Sequence, residues 1–214
     1  MGRAKGIIKW VLPPCALLGT VWVSLAIHNA AAEANPFLTA PSPSGTYTVN
    51  LTGRKERPFL IPNTVDYHAL KVGEPFLASR HLHSAWDFMD LSFELGYPDH
   101  RWVSDNILQL YNERYFSDGE PDALVIVNRA GQIIKHLRVQ SVDQFLLFDL
   151  QPGAETRLLN SRPRGDYKDF HVVGEFYNGR RFEGGKSLRL NKRLGGPFTY
   201  YIYISGDGAT FEGS

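Results

Sequence analysis

The sequence predicts an all-β domain over residues 45–214, preceded by one N-terminal membrane helix. Three observations lead there. Short runs that alternate apolar and polar residues recur from Thr46 onward, which is the period of a half-buried strand. Gly, Pro and Asn-Gly turn signals punctuate those runs at short intervals. An uncharged apolar run, Trp10–Ile27, sits behind Arg3, Lys5 and Lys9.

The apolar run defines a signal-anchor segment over residues 1–28. A signal-peptide core takes roughly 7–15 residues and a spanning helix about 20. Trp10–Ile27 is 18 residues, and Ile7 and Ile8 extend it if Lys9 snorkels toward the headgroups. Trp10 suits an interface, and Leu17, Leu18, Val21, Trp22 and Leu25 supply bulk for lipid contact. The competing reading is a cleaved signal peptide, with Ala32-Glu33-Ala34 as a small-x-small site. Three bases precede the run and none follows it until Arg54, so the N-terminus stays cytoplasmic and the C-terminal domain is periplasmic or extracellular. The lipid bilayer, met through residues 7–27, and membrane protein subunits are the expected partners. Residues 29–44, with prolines at 36, 41 and 43, read as a semi-extended spacer.

Each β element has its own signal. "TYTVNLTG" sets Tyr47, Val49 and Leu51 on one face, and "TVDYHALKVG" repeats the pattern. Residues 84–95 suit a helix or a strand. "ALVIVNRAGQIIKHLRV" predicts a hairpin about a short turn at Asn128–Gly131. "VDQFLLFDL" predicts a strand that stops at Gln151-Pro152-Gly153, and "FHVVGEFYNGRRF" a hairpin at Asn178-Gly179. "PFTYYIYIS" closes the domain. Seven to nine such strands suit a single immunoglobulin-like or jelly-roll-like β-sandwich, without the Cys…Trp…Cys signature of true immunoglobulin domains.

Composition removes several function classes. The chain has 23 Lys plus Arg and 22 Asp plus Glu. Three of those bases and one acid lie in residues 1–44, which leaves 20 bases and 21 acids, a net charge of −1. A near-neutral domain has no general attraction for nucleic acid, and none is expected as a partner. The one cysteine, Cys15, lies in the apolar run, so the domain can form neither disulfides nor thiolate zinc sites.

Candidate chemistry is sparse, and no catalytic motif is present. In "RHLHSAWDFMD", His81 and His83 would share one strand face, and Asp87 from the following turn could complete a divalent transition-metal site. "GRRFEGGKS" looks like the end of a phosphate loop, but its spacer is one residue too long and its context is strand to strand. "SDGEPD", residues 117–122, is an acidic loop without the ligand spacing of an EF-hand. Asn50-Leu51-Thr52 is a glycosylation sequon. On the closing strand, Tyr200, Ile202 and Ile204 would face the core, leaving Tyr201 and Tyr203 outward as a protein interface. The sequence therefore points to a non-catalytic, membrane-anchored binding or scaffolding domain without a cofactor, an accessory subunit of a larger membrane assembly. An energy-transducing complex is one such host. The alternative is a secreted or periplasmic metal-binding protein or enzyme built on the His81/His83 region.

Overall fold

The computed structural model describes residues 36, 38–53, 63–74, 77–85, 100–110, 120–162, 167–189 and 197–213, with the side chains of 63–65 and 79–85 excepted. Among them every regular element is a strand, and no helix is long and apolar enough to cross a membrane. The anchor residues Trp10, Leu17, Leu18, Val21, Trp22 and Leu25 lie outside the described residues.

The chain divides into two compact units. One comprises Met1–Thr39, Asn50–Tyr67 and Arg80–Leu95, the other Ala40–Val49, His68–Ser79 and Gly96–Ser214. Strands β1 (Leu38–Pro41), β2 (Tyr47–Gly53), β3 (Asn63–Lys71) and β4 (Ala78–Ala85) form a four-stranded meander in chain order. The alternation expected of "TYTVNLTG" is present: Tyr47, Val49 and Leu51 are buried.

The second unit holds two further sheets, one of six strands and one of four. The six-stranded sheet runs β12 (Arg181–Arg189), β11 (Tyr167–Phe176), β8 (Ile134–Gln140), β9 (Gln144–Leu150), β6 (Ile107–Leu110) and β5 (His100–Ser104). The four-stranded sheet runs β10 (Glu155–Asn160), β7 (Asp122–Asn128), β13 (Thr199–Ser205) and β14 (Gly208–Gly213). One apolar cluster joins them. Leu124, Ile126, Leu158, Ile202 and Ile204 come from the smaller sheet, and Leu137, Val139, Phe145, Leu147, Val172 and Phe176 from the larger. Non-directional burial of these faces drives the packing.

Four local expectations change. First, β7 and β8 are not a hairpin: β7 pairs with β10 and β13, β8 with β11 and β9. The chain arches from one sheet to the other at Asn128. Its buried amide donates to the carbonyls of Gln132 (2.9 Å), Leu150 (2.9 Å) and Gln151 (3.1 Å), and its Oδ1 accepts from the Ala130 amide at 3.0 Å. These bonds tie the arch to the Gln151-Pro152-Gly153 turn, where Gly153 takes a φ of 75°. Second, the Asn178-Gly179 hairpin forms, but only Gly179 has a positive φ (81°), and Phe176 and Arg180 close a three-residue loop. That matches a type I turn followed by a left-handed glycine, not the two-residue primed turn usual for Asn-Gly. Third, "GRRFEGGKS" is no connection. Gly184 and Gly185 lie inside β12, opposite Val172 and His171. A Cβ on Gly184 would meet the Ala209 side chain at 3.2 Å, so the glycine admits close approach of β14. Fourth, the chain does not close on β13; Gly206-Asp207 turns it back into β14. The fourteen described strands outnumber the expected seven to nine partly because short segments such as β6, β10 and β14 give little periodic signal.

Candidate functional site

The smaller sheet presents one outward face. Tyr200, Ile202 and Ile204 enter the core, which leaves Tyr201 and Tyr203 on the other side of β13. Their rings lie nearly parallel, with centroids 6.0 Å apart and planes 8° apart. The Arg129 guanidinium stands 3.6 Å from the Tyr203 centroid. A stacked arginine over a tyrosine combines cation–π attraction with planar contact. Both tyrosines remain partly exposed, so neighbouring side chains cover them only in part.

A second constellation centres on Asp149, and nothing in its sequence spacing announces it. Asp149 Oδ2 accepts from Tyr47 Oη and pairs with Lys71 Nζ, each at 2.6 Å, and Tyr177 Oη donates to Oδ1. Lys71 also contacts Glu74 at 3.0 Å and Tyr177 Oη at 3.2 Å. Asp149 is the one described non-glycine residue with positive φ, at 52°. Burial opposes ionisation of Asp149, but the bonds from Lys71, Tyr177 and Tyr47 outweigh it and hold the carboxyl below its ordinary range. The bond to Asp149 raises Lys71. Burial, then the bond to Asp149, raises Tyr47, and the same two causes push Tyr177 up to about 12. Each of these four groups is thereby fixed in one protonation state around neutrality. A general acid or base needs the opposite tuning, so the arrangement is a clasp joining β2, β3, β9 and the β11–β12 turn.

A third polar group is interior. Lys168 and Asp122 are 0% and 1% exposed in their side chains and meet at 2.7 Å. Arg162 Nε and the Phe198 amide each reach the other Asp122 oxygen at 3.0 Å. Lys168 also donates to the Ser161 carbonyl at 3.2 Å and lies 4.8 Å from the Tyr200 ring centroid. Burial pushes Lys168 down, against the pull of Asp122. Nearby, Asp143 Oδ2 accepts from Gln109 (2.9 Å) and from the amide (2.9 Å) and hydroxyl (3.0 Å) of Ser161. Burial nevertheless pushes the Asp143 carboxyl up. The last acid of "SDGEPD", Asp122, is thus a buried residue engaged by two cations of its own chain and not part of a solvated turn.

The remaining candidates divide simply. His81 and His83 belong to β4, but their side chains, and Asp87 entirely, lie outside the described residues. Among the described residues no three His, Cys, Asp or Glu side chains group as a metal-ligand set. Asn50 is half-buried within β2. One signal for the interior lysine was present: in "YKDFHVV" Lys168 shares the register of Phe170 and Val172, so alternation alone places it on the inner face.

No family model and no curated protein matches the chain. A solved structure, the NMR structure of a protein from Eubacterium rectale, is similar over 44% of this chain and 91% of that one, at 17% identity and a TM-score of 0.33.

Proposed function

We propose that the protein is a non-catalytic, membrane-anchored accessory subunit whose extracytoplasmic domain works by contact within a larger membrane assembly. An energy-transducing complex is one host that would suit it. The observation that carries this reading is the outward face of β13, where Tyr201 and Tyr203 stand partly exposed and stacked, with Arg129 over Tyr203. Tyrosine and arginine are the residues that interfaces favour, because they give large contact area with a polar tip. The 18-residue apolar run supports the anchor, and the bases before it support the orientation. Two sheets closed over one core support an immunoglobulin-like or jelly-roll-like sandwich as the finer architecture.

The test uses the full chain in its native membrane. Wild-type protein should stay in the carbonate-washed pellet with its N-terminus intact and copurify with stoichiometric subunits in mild detergent. Y201A/Y203A should lose those subunits. Its fold should weaken by only about 1–2 kcal/mol, since an exposed cation–π contact is worth about 0.5–1 kcal/mol. Core aromatic deletions cost about 3–5 kcal/mol each, so a collapse in thermal midpoint would assign the tyrosines to packing. A mature N-terminus at Asn35 would replace the anchor with a signal peptide.

A further inference from the structure

The strand registers arrange the outward face of the smaller sheet into rows. Arg157 of β10 lies opposite Val125 of β7, Val125 opposite Tyr201 of β13, and Tyr201 opposite Glu212 of β14. One row therefore reads cation, apolar, aromatic, anion across the sheet. The next reads Glu155, Val127, Tyr203, Thr210, and the one before it brings Leu159 beside Ala123 and Thr199. All these positions face away from the core, because Leu124, Ile126, Leu158, Tyr200 and Ile202 alternate with them and point inward. Leu159 is 52% exposed, Arg157 and Glu212 are exposed and Tyr201 and Tyr203 are half-buried, whereas Val125 and Ala123 are buried, so contact on this face falls to the taller side chains on either side of β7. Within one molecule Arg157 and Glu212 stand three strand spacings apart, about 14 Å, too far to pair. Arg157 has no ion-pair partner among the described residues.

The row is complementary to itself. Consider a second copy facing this sheet, related by a two-fold axis lying along the strands between β7 and β13. The rotation preserves each row and reverses its order. Arg157 then faces the second copy's Glu212, Glu212 faces its Arg157, and Tyr201 of each copy lies over the β7 column of the other. The two opposed Arg–Glu pairs arise from one sequence because the charges sit at opposite ends of the row. Isologous dimers require this property of a surface patch.

We infer that the outward face of β10-β7-β13-β14 is a homodimer interface, with a second copy of this chain as its occupant. The inference rests on the reading of Tyr201 and Tyr203 as contact residues and names their partner. The patch is small. Four strands by about 20 Å of strand length give roughly 400 Å² per copy as a flat projection, half the usual 800 Å². The dimer should therefore be weak in dilute solution and favoured where tethering in a membrane raises its local concentration.

Sedimentation equilibrium of the full chain in density-matched detergent tests it, from about 1 to 200 μM. Self-association that weakens at high salt is expected. R157E and E212R should each weaken the dimer about tenfold or more, because each change opposes like charges at both ends. R157E/E212R should restore it to within about threefold, and Y201A/Y203A should abolish it. Thermal midpoints of all variants serve as folding controls. A chain that stays monomeric throughout the range overturns the dimer. If Y201A/Y203A still loses subunits in that case, the face belongs to a different protein and the contact reading survives. A dimer untouched by the tyrosine changes removes this face from both readings. Charge reversals without mutual rescue overturn the two-fold pairing. Should E212R fail to fold, R157E with E212K repeats the rescue.

Discussion

Replacing Asp149 separates backbone strain from electrostatics by an inversion of sign. Its φ of 52° lies in the left-handed region, where an L side chain costs roughly 1–2 kcal/mol unless it is Gly, Asn or Asp. The carboxylate also receives Tyr47, Lys71 and Tyr177. Hydrogen bonds to a charged group contribute about 1.5–3 kcal/mol each at best. Here Tyr177 is half-exposed and can rebond to water, and Lys71 keeps Glu74 at 3.0 Å. The loss should therefore total about 2–4 kcal/mol for any residue without an acceptor. Asp149→Gly suffers that loss alone. Asp149→Ala adds the left-handed penalty and should be about 1 kcal/mol less stable than Gly. Asp149→Asn keeps an acceptor and tolerates the backbone, so the order should be Asp, Asn, Gly, Ala.

In an ordinary strand the last two exchange places, because glycine is about 0.5–1 kcal/mol worse than alanine there. The two cases differ by about 2 kcal/mol, or some 4–8 °C in midpoint for a unit of this size. Thermal unfolding of the full chain by circular dichroism resolves that difference. Alanine at or above glycine would refute a left-handed Asp149. Equal midpoints for Asp and Ala would refute the clasp itself.

The clasp also fixes a pH window. Asp149 is held below its unfolded value of about 3.9, so its contribution is present above that pH and disappears as pH falls through the folded value. Lys71 is raised, so its share is present below about pH 10.4 and lost at higher pH; the stability gap between wild type and D149A should be flat from about pH 5.5 to 9 and shrink below 4. Lys168→Ala leaves Asp122 in the interior with Arg162 and should cost about 3–5 kcal/mol, whereas K168M/D122N should recover part of it, as denaturant midpoints would show. Gly174→Ala would place a methyl 2.2 Å from the Phe182 ring, so it should destabilise by about 1–3 kcal/mol, and adding Phe182→Leu should relieve part of that. No recovery would mean that the ring already moves aside.

The sequence made legible what depends on neighbours in the chain. β2, β9, the β11–β12 hairpin and the inward–outward division of β13 all follow from alternation and turn chemistry, as does the inner placement of Lys168. What it left hidden depends on distant segments. β7 and β8 have the local pattern of a hairpin, and the short polar turn between them suits either a hairpin or an arch. The distinguishing fact lies in the partners, since β7 pairs with β10 and β13 and β8 with β11 and β9. β14, "GATFEG", has too much glycine and too little β-branching to announce a strand.

The Asp149 clasp was hidden for a related reason. Its members, Tyr47, Lys71, Glu74, Asp149 and Tyr177, are drawn from segments with no motif in common. Such a set has no spacing to recognise, and three of its side chains read individually as ordinary surface charges. The same physics that hid it limits its role. A carboxylate held low and a lysine and two phenols held high take up and release no protons near neutral pH, so these four groups fix strands in place without switching between states. The Tyr201–Tyr203 face differs in both respects. Alternation on a single strand predicted it, and Tyr201, Tyr203 and Arg157 lie on the outward side of the sheet. Geometry thus divides these polar residues by direction: the Asp149 and Lys168 groups bond to their own chain, and Tyr201 and Tyr203 stand partly exposed on the outward side of β13.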